Sequence, residues 1–294
     1  MDVLNRSRKG ATYPCKVLII FGIYLLGVGC GPQPTGSDTN YDPYERPDAE
    51  PLQCVPDLDG EIAADEFEPA IGVAASYLVS PAGQTRSVDL VGQKKEGKRV
   101  WDWSRTRQSD QSLEIAAESI DEKWYAGSFP DGQFSLPVDL SGRTEGIYRK
   151  TDSRMFLLGL ASRRESPGTG KTLLVYEEPV VVYKFPVKTG RQWVSVGNVN
   201  DGTLRGSPYA GRDTYEVKVQ AVGEIKLPNF TFEQVHRVDT KVTVQPAAGK
   251  SVARRQVSFV AECFGEVARA TSEDGVTEKS FEEAAEVRRL GVRR

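Results

Sequence analysis

Residues 215–221 read Tyr215-Glu216-Val217-Lys218-Val219-Gln220-Ala221, and residues 238–244 read Val238-Asp239-Thr240-Lys241-Val242-Thr243-Val244. Apolar or β-branched side chains fall at every second position, with polar or charged ones between. Successive side chains of a strand leave on opposite sides, so a period of two marks a strand with one covered face. Val257-Ser258-Phe259-Val260-Ala261-Glu262-Cys263 alternates similarly. Residues 156–161 and 180–183 are denser apolar runs, expected to be strands covered on both faces. Turn residues punctuate the intervals at Asp201-Gly202, Pro208 to Gly211, Pro228-Asn229, Pro246 to Gly249 and Asp274-Gly275. The spacing implies roughly ten to thirteen strands, and the short connections favour antiparallel pairing. The expected fold class is mainly β with little helix: an antiparallel, strongly curved sheet (a half-barrel) or a two-layer β-sandwich. Residues 112–120 (SLEIAAESI) are the best helix candidate. From Ser280 to Leu290 a helical stripe competes with alternation, and the alternation favours a strand.

The chain has 294 residues, 39% hydrophobic and 27% charged, with a net charge of −3. That is the composition of a globular protein, and it offers no basic surface for nucleic acid. There is one histidine, His236. A multi-histidine zinc site and a two-histidine iron triad are therefore excluded, and a serine triad would have to use this one imidazole. No Gly-x-Ser-x-Gly elbow occurs, and no Ser-x-x-Lys follows residue 30. His236 lies in a strand-like stretch, and no carboxylate pair is singled out for glycoside hydrolysis. The expectation is a non-enzymatic protein with no catalytic residues; a hydrolase is a further alternative. Trp101-Asp102-Trp103 and Trp124-Tyr125 read either as a sugar-stacking surface or as anchors of a β core.

The first 29 residues carry Arg6, Arg8, Lys9 and Lys16, then the apolar run 17–29, which ends in Gly27-Val28-Gly29 before Cys30. The run is shorter than the ~20 residues a membrane-spanning helix needs and has the length of a signal-peptide core. Its end resembles the lipobox of bacterial lipoprotein signal peptides, with Gly27 where leucine is usual. That resemblance implies lipidation at Cys30 with a palmitate-type acyl anchor, attachment to a membrane, and, with Gly31 rather than Asp next, sorting to the outer membrane of the cell envelope; the other readings are an ordinary secretory signal cut nearby and a non-cleaved anchor. Loss of residues 1–29 removes four basic residues and Asp2 and moves the net charge to −6. Residues 31–51 contain five prolines and no apolar periodicity, the composition of a disordered tether.

Of the four cysteines, cleavage would remove Cys15 and lipid would occupy Cys30. Cys54 and Cys263 remain as an even pair in an oxidising compartment, which favours a disulfide; the other reading is two separate thiols. The expected organisation is a signal peptide (1–29), a tether (30–53), a first β half with an Asp-rich turn (54–178) and a second β half (179–294).

Residues 57–67 (DLDGEIAADEF) resemble the later part of an EF-hand loop. Asp57, Asp59 and Glu66 stand where carboxylate ligands stand, with Gly60 at the turn and Ile62 at the pairing position. The first ligand position holds Val55, and Pro69 cuts off an exit helix. A weak Ca²⁺ site competes here with an ordinary Asp-rich turn; no other cofactor is indicated. Residues 166–172 (SPGTGKT) resemble a Walker A loop, but Glu165 replaces its first glycine and strand-like sequence follows. The reading is a β-hairpin turn, with no nucleotide bound.

In residues 179–290, Phe185-Pro186, Gly190, Trp193, the 215–219 strand, Gly223-Glu224-Ile225, Leu227-Pro228-Asn229-Phe230 and residues 262–268 follow an order that resembles uncharacterised Gram-negative envelope lipoproteins with a LolA/LolB-like half-barrel. The resemblance implies carriage of an apolar or acylated ligand, or a role in envelope assembly with a protein partner. Among the aromatics Tyr183, Phe185, Trp193, Tyr215, Phe230, Phe232 and Phe259, which either line such a hollow or fill a core, Trp193, Tyr215, Phe230 and Phe259 are the leading lining candidates. The alternative from another class is a structural or adhesive surface module with calcium at the 57–66 turn.

Overall fold

The computed structural model describes residues 54–292. The expected signal peptide and tether, with Cys30, lie outside the described residues. The strands, in chain order, are β1 (Ala74–Val79), β2 (Arg86–Ser87), β3 (Gln93–Lys95), β4 (Lys98–Asp102), β5 (Gln111–Ala116), β6 (Glu118–Ser119), β7 (Phe134–Pro137), β8 (Thr144–Lys150), β9 (Arg154–Ser162), β10 (Leu173–Lys184), β11 (Gln192–Leu204), β12 (Ser207–Lys226), β13 (Thr231–Pro246), β14 (Val252–Ala261), β15 (Gly265–Thr271), β16 (Glu283–Ala284) and β17 (Glu286–Leu290). Helix is confined, among the described residues, to single 3₁₀ turns at Asp65–Phe67 and Ala126–Ser128.

One strongly curved antiparallel sheet runs β5-β1-β17-β15-β14-β13-β12-β11-β10-β9-β8-β7-β6. Its two end strands are consecutive in the chain, separated only by Ala117. Residues 111–119 pair with β1 through Ala75↔Ile115 and then with β7 through Glu118↔Ser135, so a single stretch of chain closes the sheet into a barrel with one seam. The curvature expected from sequence is present and goes beyond a half-barrel; the sandwich alternative is not adopted.

The alternating stretches pair with one another. Val217 faces Thr240, and Val219 faces Val238 across β12 and β13. Thr240 faces Gln256, and Val238 faces Ser258 across β13 and β14. Pairing like with like keeps each face consistent along three strands.

Residues 112–119 are strand, not helix, with Ala117 as a bridge between β5 and β6. Their Leu, Glu and Ala favour a helix locally, but Leu113, Ile115 and Ala117 also alternate, and Ile115 and Ala117 turn into the barrel. Two partner strands decide between the two periods, as tertiary pairing overrides propensity. Residues 283–290 form β16 and β17, in line with alternation. The soft boundary expected at Glu178-Pro179 falls inside β10, at a register shift between Val175 and Val180. The residues on either side of it belong to one compact unit. Residues 167–170 form the turn between β9 and β10, with the Gly170 amide donating to the Pro167 carbonyl at 2.9 Å. Gly170 has φ +87°, and a Cβ there would lie 2.4 Å from the Arg205 backbone. The glycine answers to close packing against Arg205.

The outer face of the barrel is covered over β12 to β17. β4 takes up the β12 edge in parallel (Ile225↔Trp101) where β11 has ended. Gly223 permits this, since a Cβ would sit 2.3 Å from the Arg99 carbonyl. Trp101 and Trp103 then stack edge-on against Phe259, centroids 4.9 and 5.1 Å apart. This outer core includes Val257, Ala261, Val267, Ala268, Ala270 and Phe281. Its buried charges are paired one to one: Arg237 with Asp239 at 2.9 Å, and Arg289 with Asp110 at 2.6 Å.

Candidate ligand cavity

The interior is filled at two places and hollow between them. Residues 54–73 stopper one end. Ile62 pairs with Val187 through two backbone hydrogen bonds (3.0 and 2.8 Å), and the Cys263 amide donates to the Glu66 carbonyl at 2.7 Å. A disulfide joins Cys54 to Cys263 with their Cα atoms 5.5 Å apart. On the β10–β12 side, Leu174, Tyr176, Val180 and Val199 fill the lumen. There the Tyr176 hydroxyl donates to Asp213 Oδ2 at 2.6 Å.

What is left is a cavity of about 820 Å³, within the range of roughly 300–1,000 Å³ typical of small-molecule sites. It runs from the 54–73 stopper towards the end carrying Val244, Val252 and Asp274. Phe67 is its inner floor, its ring 4.9 Å from that of Tyr183. One wall is apolar: Leu136, Met155, Leu157 and Leu160, with Phe134 stacked on Tyr148 at 5.6 Å. The opposite wall, on β14, β15 and β17, carries Gln256, Glu266, Arg269, Thr271 and Arg288.

The polar wall has a definite geometry. Arg269 and Arg288 are direct cross-strand partners. Glu266 lies between their guanidiniums: Oε2 accepts from Arg269 Nε (2.8 Å) and Nη2 (2.7 Å), and Oε1 from Arg288 Nε (3.0 Å) and Nη2 (2.8 Å). Ser258 Oγ donates to Oε2 at 2.7 Å, and the Tyr77 hydroxyl donates to the Glu266 carbonyl at 2.8 Å. Burial alone would raise the Glu266 carboxyl, but the two arginines and Ser258 hold it below the ordinary value. Burial, reinforced by Glu266, pushes Tyr77 up to about 12. Tyr148 and Tyr183 are also raised by burial and feel the charges of Glu266, Arg269 and Arg288 from across the lumen. The Glu286 carboxyl is raised by burial against the pull of Arg288 and Arg269.

Of the residues proposed from sequence to line a hollow, Tyr183 and Tyr215 do so, whereas Phe185 and Phe232 do not. Trp193 is buried among apolar neighbours outside the cavity lining, its indole N–H donating to the Val181 carbonyl at 2.9 Å. Phe259 is fully buried in the outer core. Phe230 is 45% exposed at the β12–β13 turn. Sequence reasoning missed Arg269 and Arg288 because charged residues in an alternating strand read as the solvated face. The usable signal was Val267, Ala268 and Ala270, small apolar residues that pack tightly beneath the outer layer.

Carboxylate oxygens of Asp57 and Glu66 come within 4.8 Å of each other, joined by Glu262 rather than by Asp59. These groups also serve the turn. Glu262 Oε2 accepts from the Leu58 amide (3.0 Å), Glu66 Oε2 from Ala63 (2.7 Å), and Asp59 Oδ1 from Glu61 (2.8 Å). His236 is fully buried on the inner face beneath the stopper, with no hydrogen-bond partner for either ring nitrogen. Burial lowers its pKa to about 4, against the opposing charges of Asp59 and Glu61. The Trp101 and Trp103 indoles donate to backbone carbonyls inside the outer layer, so these rings form no exposed sugar platform. No family model matches the chain, and no curated protein or solved structure matches it either.

Proposed function

We propose that this protein is a non-enzymatic binding protein that holds an apolar-chain ligand inside its barrel, anchored through lipidated Cys30 at the outer membrane of a cell envelope. The observation that carries the binding part is the cavity of about 820 Å³ with a continuous aliphatic wall. A lumen that a stable domain leaves unfilled forgoes packing energy, which binding of a hydrocarbon chain restores. The lipobox-like sequence before Cys30 supports the anchored location, and the disulfide is consistent with an oxidising compartment.

The test is fluorescence titration with N-phenyl-1-naphthylamine, a neutral apolar probe. Saturable enhancement is expected, lost in a Leu160→Trp variant whose indole occupies the lumen. Enhancement that is unchanged in that variant would remove the reading. Mass spectrometry of the mature N-terminus tests the anchor: a diacylated Cys30 is expected, and an unmodified terminus at another residue defeats it.

A second reading, a surface module with calcium at the 57–66 turn, is favoured by the approach of Asp57 and Glu66 to Glu262. Calorimetric titration at millimolar Ca²⁺, repeated on Glu66→Gln, decides it. Heat that disappears in the variant supports the site, and no heat removes it.

A further inference from the structure

We propose that the Arg269–Arg288 pair, with the hydroxyls of Tyr148 and Tyr183, is the head-group site of the cavity, and that its ligand is a single-chain amphiphile bearing a monoanionic carboxylate. This rests on the reading of the lumen as a hydrocarbon site and adds the chemistry of the other end of the ligand.

Four observations meet at this point. The first is charge. On the outer face Arg237 and Arg289 each have a carboxylate of their own. On the inner face two guanidiniums share Glu266 alone. A further carboxyl on β17, Glu286, has its pKa raised by burial. The trio therefore carries one positive charge in excess inside a largely apolar chamber, and a single carboxylate neutralises it.

The second is unspent donors. Both arginines bond Glu266 through Nε and Nη2 only, leaving each Nη1 without a protein partner among the described residues. Both guanidiniums line the cavity. Arginine's fixed fork suits planar carboxylate recognition.

The third is the opposite wall. Tyr148 and Tyr183 line the same cavity and interact electrostatically with Arg269, Arg288 and Glu266. Neither hydroxyl has a hydrogen-bond partner among the described residues, whereas Tyr77, Tyr125 and Tyr176 each donate from theirs. Two guanidinium N–H groups and two phenol O–H groups offset the desolvation of a carboxylate, which unpaired would be prohibitive.

The fourth is position. The cluster lies on the β15–β17 wall facing the aliphatic side of the lumen, so a chain leaving the head group runs along Leu157, Leu160 and Leu136. A head group alone would gain no apolar burial, and a chain alone would leave the extra charge and the four donors unmet. The amphiphile satisfies both walls at once.

The experiment is competition for the N-phenyl-1-naphthylamine complex of the full chain by hexadecanoate, by hexadecan-1-ol and by acetate. Hexadecanoate is expected to displace the probe on the order of tenfold more tightly than the alcohol, the scale of charge-assisted hydrogen bonds, and acetate not at all. Arg288→Gln is expected to remove that preference, weakening hexadecanoate far more than the alcohol. Tyr183→Phe, which removes only an oxygen, is expected to reduce it several-fold with the circular dichroism spectrum intact, so the idea is testable even if the arginine variant fails to fold. Equal affinity for acid and alcohol overturns the head-group site and leaves the hydrocarbon reading standing. Failure of both to displace the probe overturns both. Displacement by acetate overturns the amphiphile and points to a small-anion site.

Discussion

Four arginines divide the molecule into an outside and an inside. Arg237 and Arg289 lie on the outer face, each bound to its own aspartate and also to backbone carbonyls such as those of Leu90 and Trp103. Arg269 and Arg288 lie on the inner face of the same sheet and share Glu266. The outer layer is a packed core in which each of these two arginines has its own carboxylate. The inner layer is closed by packing at the stopper and on the β10–β12 side, and is incomplete in volume and in charge between them. One sheet presents a scaffold on one side and an unfilled chamber on the other.

The strongest way to break this contrast is at the outer pair. Asp110→Ala leaves Arg289 buried without its counter-charge and is expected to cost about 3–5 kcal/mol, read as a fall in the urea midpoint. A change below 1 kcal/mol would mean the pair is hydrated rather than part of a dry layer. Phe259→Ala should cost a similar ~3–5 kcal/mol, because Trp101 and Trp103 close on both sides of the ring. Leu160→Ala, whose side chain already borders open space, should cost clearly less in the same assay.

His236 sharpens the contrast within the interior. Its pKa is depressed in the folded state, so its contribution is fully present above the unfolded value near 6.5 and is lost as pH falls towards about 4. The loss integrates to about 3 kcal/mol. Glu66 and Glu286, with raised carboxyls, act in the opposite sense. The measurement is therefore the difference in urea stability between the native chain and His236→Leu from pH 7 to pH 4. That difference should move in favour of the variant on acidification, and a flat difference would mean that the imidazole is solvated.

The smallest effect asks each face to accept bulk. Ala268→Leu, in the outer core, should overpack and lower stability by about 1–3 kcal/mol. Thr240→Leu, facing the cavity, should change it by less than about 0.5 kcal/mol while weakening probe binding. Equal penalties at the two positions would erase the distinction between full and hollow.

Alternation made the strands and their faces legible, and turn residues placed their connections. It could not tell which face of a closed barrel is covered by further chain. Phe259 and Tyr215 occupy equivalent places in their patterns, yet one is sealed beneath Trp101 and the other borders the cavity. That outcome depends on residues 81–110 folding over the outside, a contact more than a hundred residues away in sequence. Residues 112–120 failed for a related reason: helical and strand periods coexist there, and only two partner strands select between them. The charged trio was invisible because a polar residue in a strand carries no mark of inside or outside.

The disulfide that fastens the stopper also sets where the body feels a pull. Tension on the chain upstream of Cys54 does not reach β1 first, although β1 is the next strand in sequence. It crosses the sulfur bridge to Cys263, in the turn between β14 and β15. Those strands stand within the sheet, each hydrogen-bonded to a neighbour on both sides. Load applied there acts on several ladders together instead of peeling one edge, and the 54–73 segment lies downstream of the bridge, shielded from the force. Pulling on the chain upstream of Cys54 would therefore load the middle of the sheet and leave the 54–73 stopper in place.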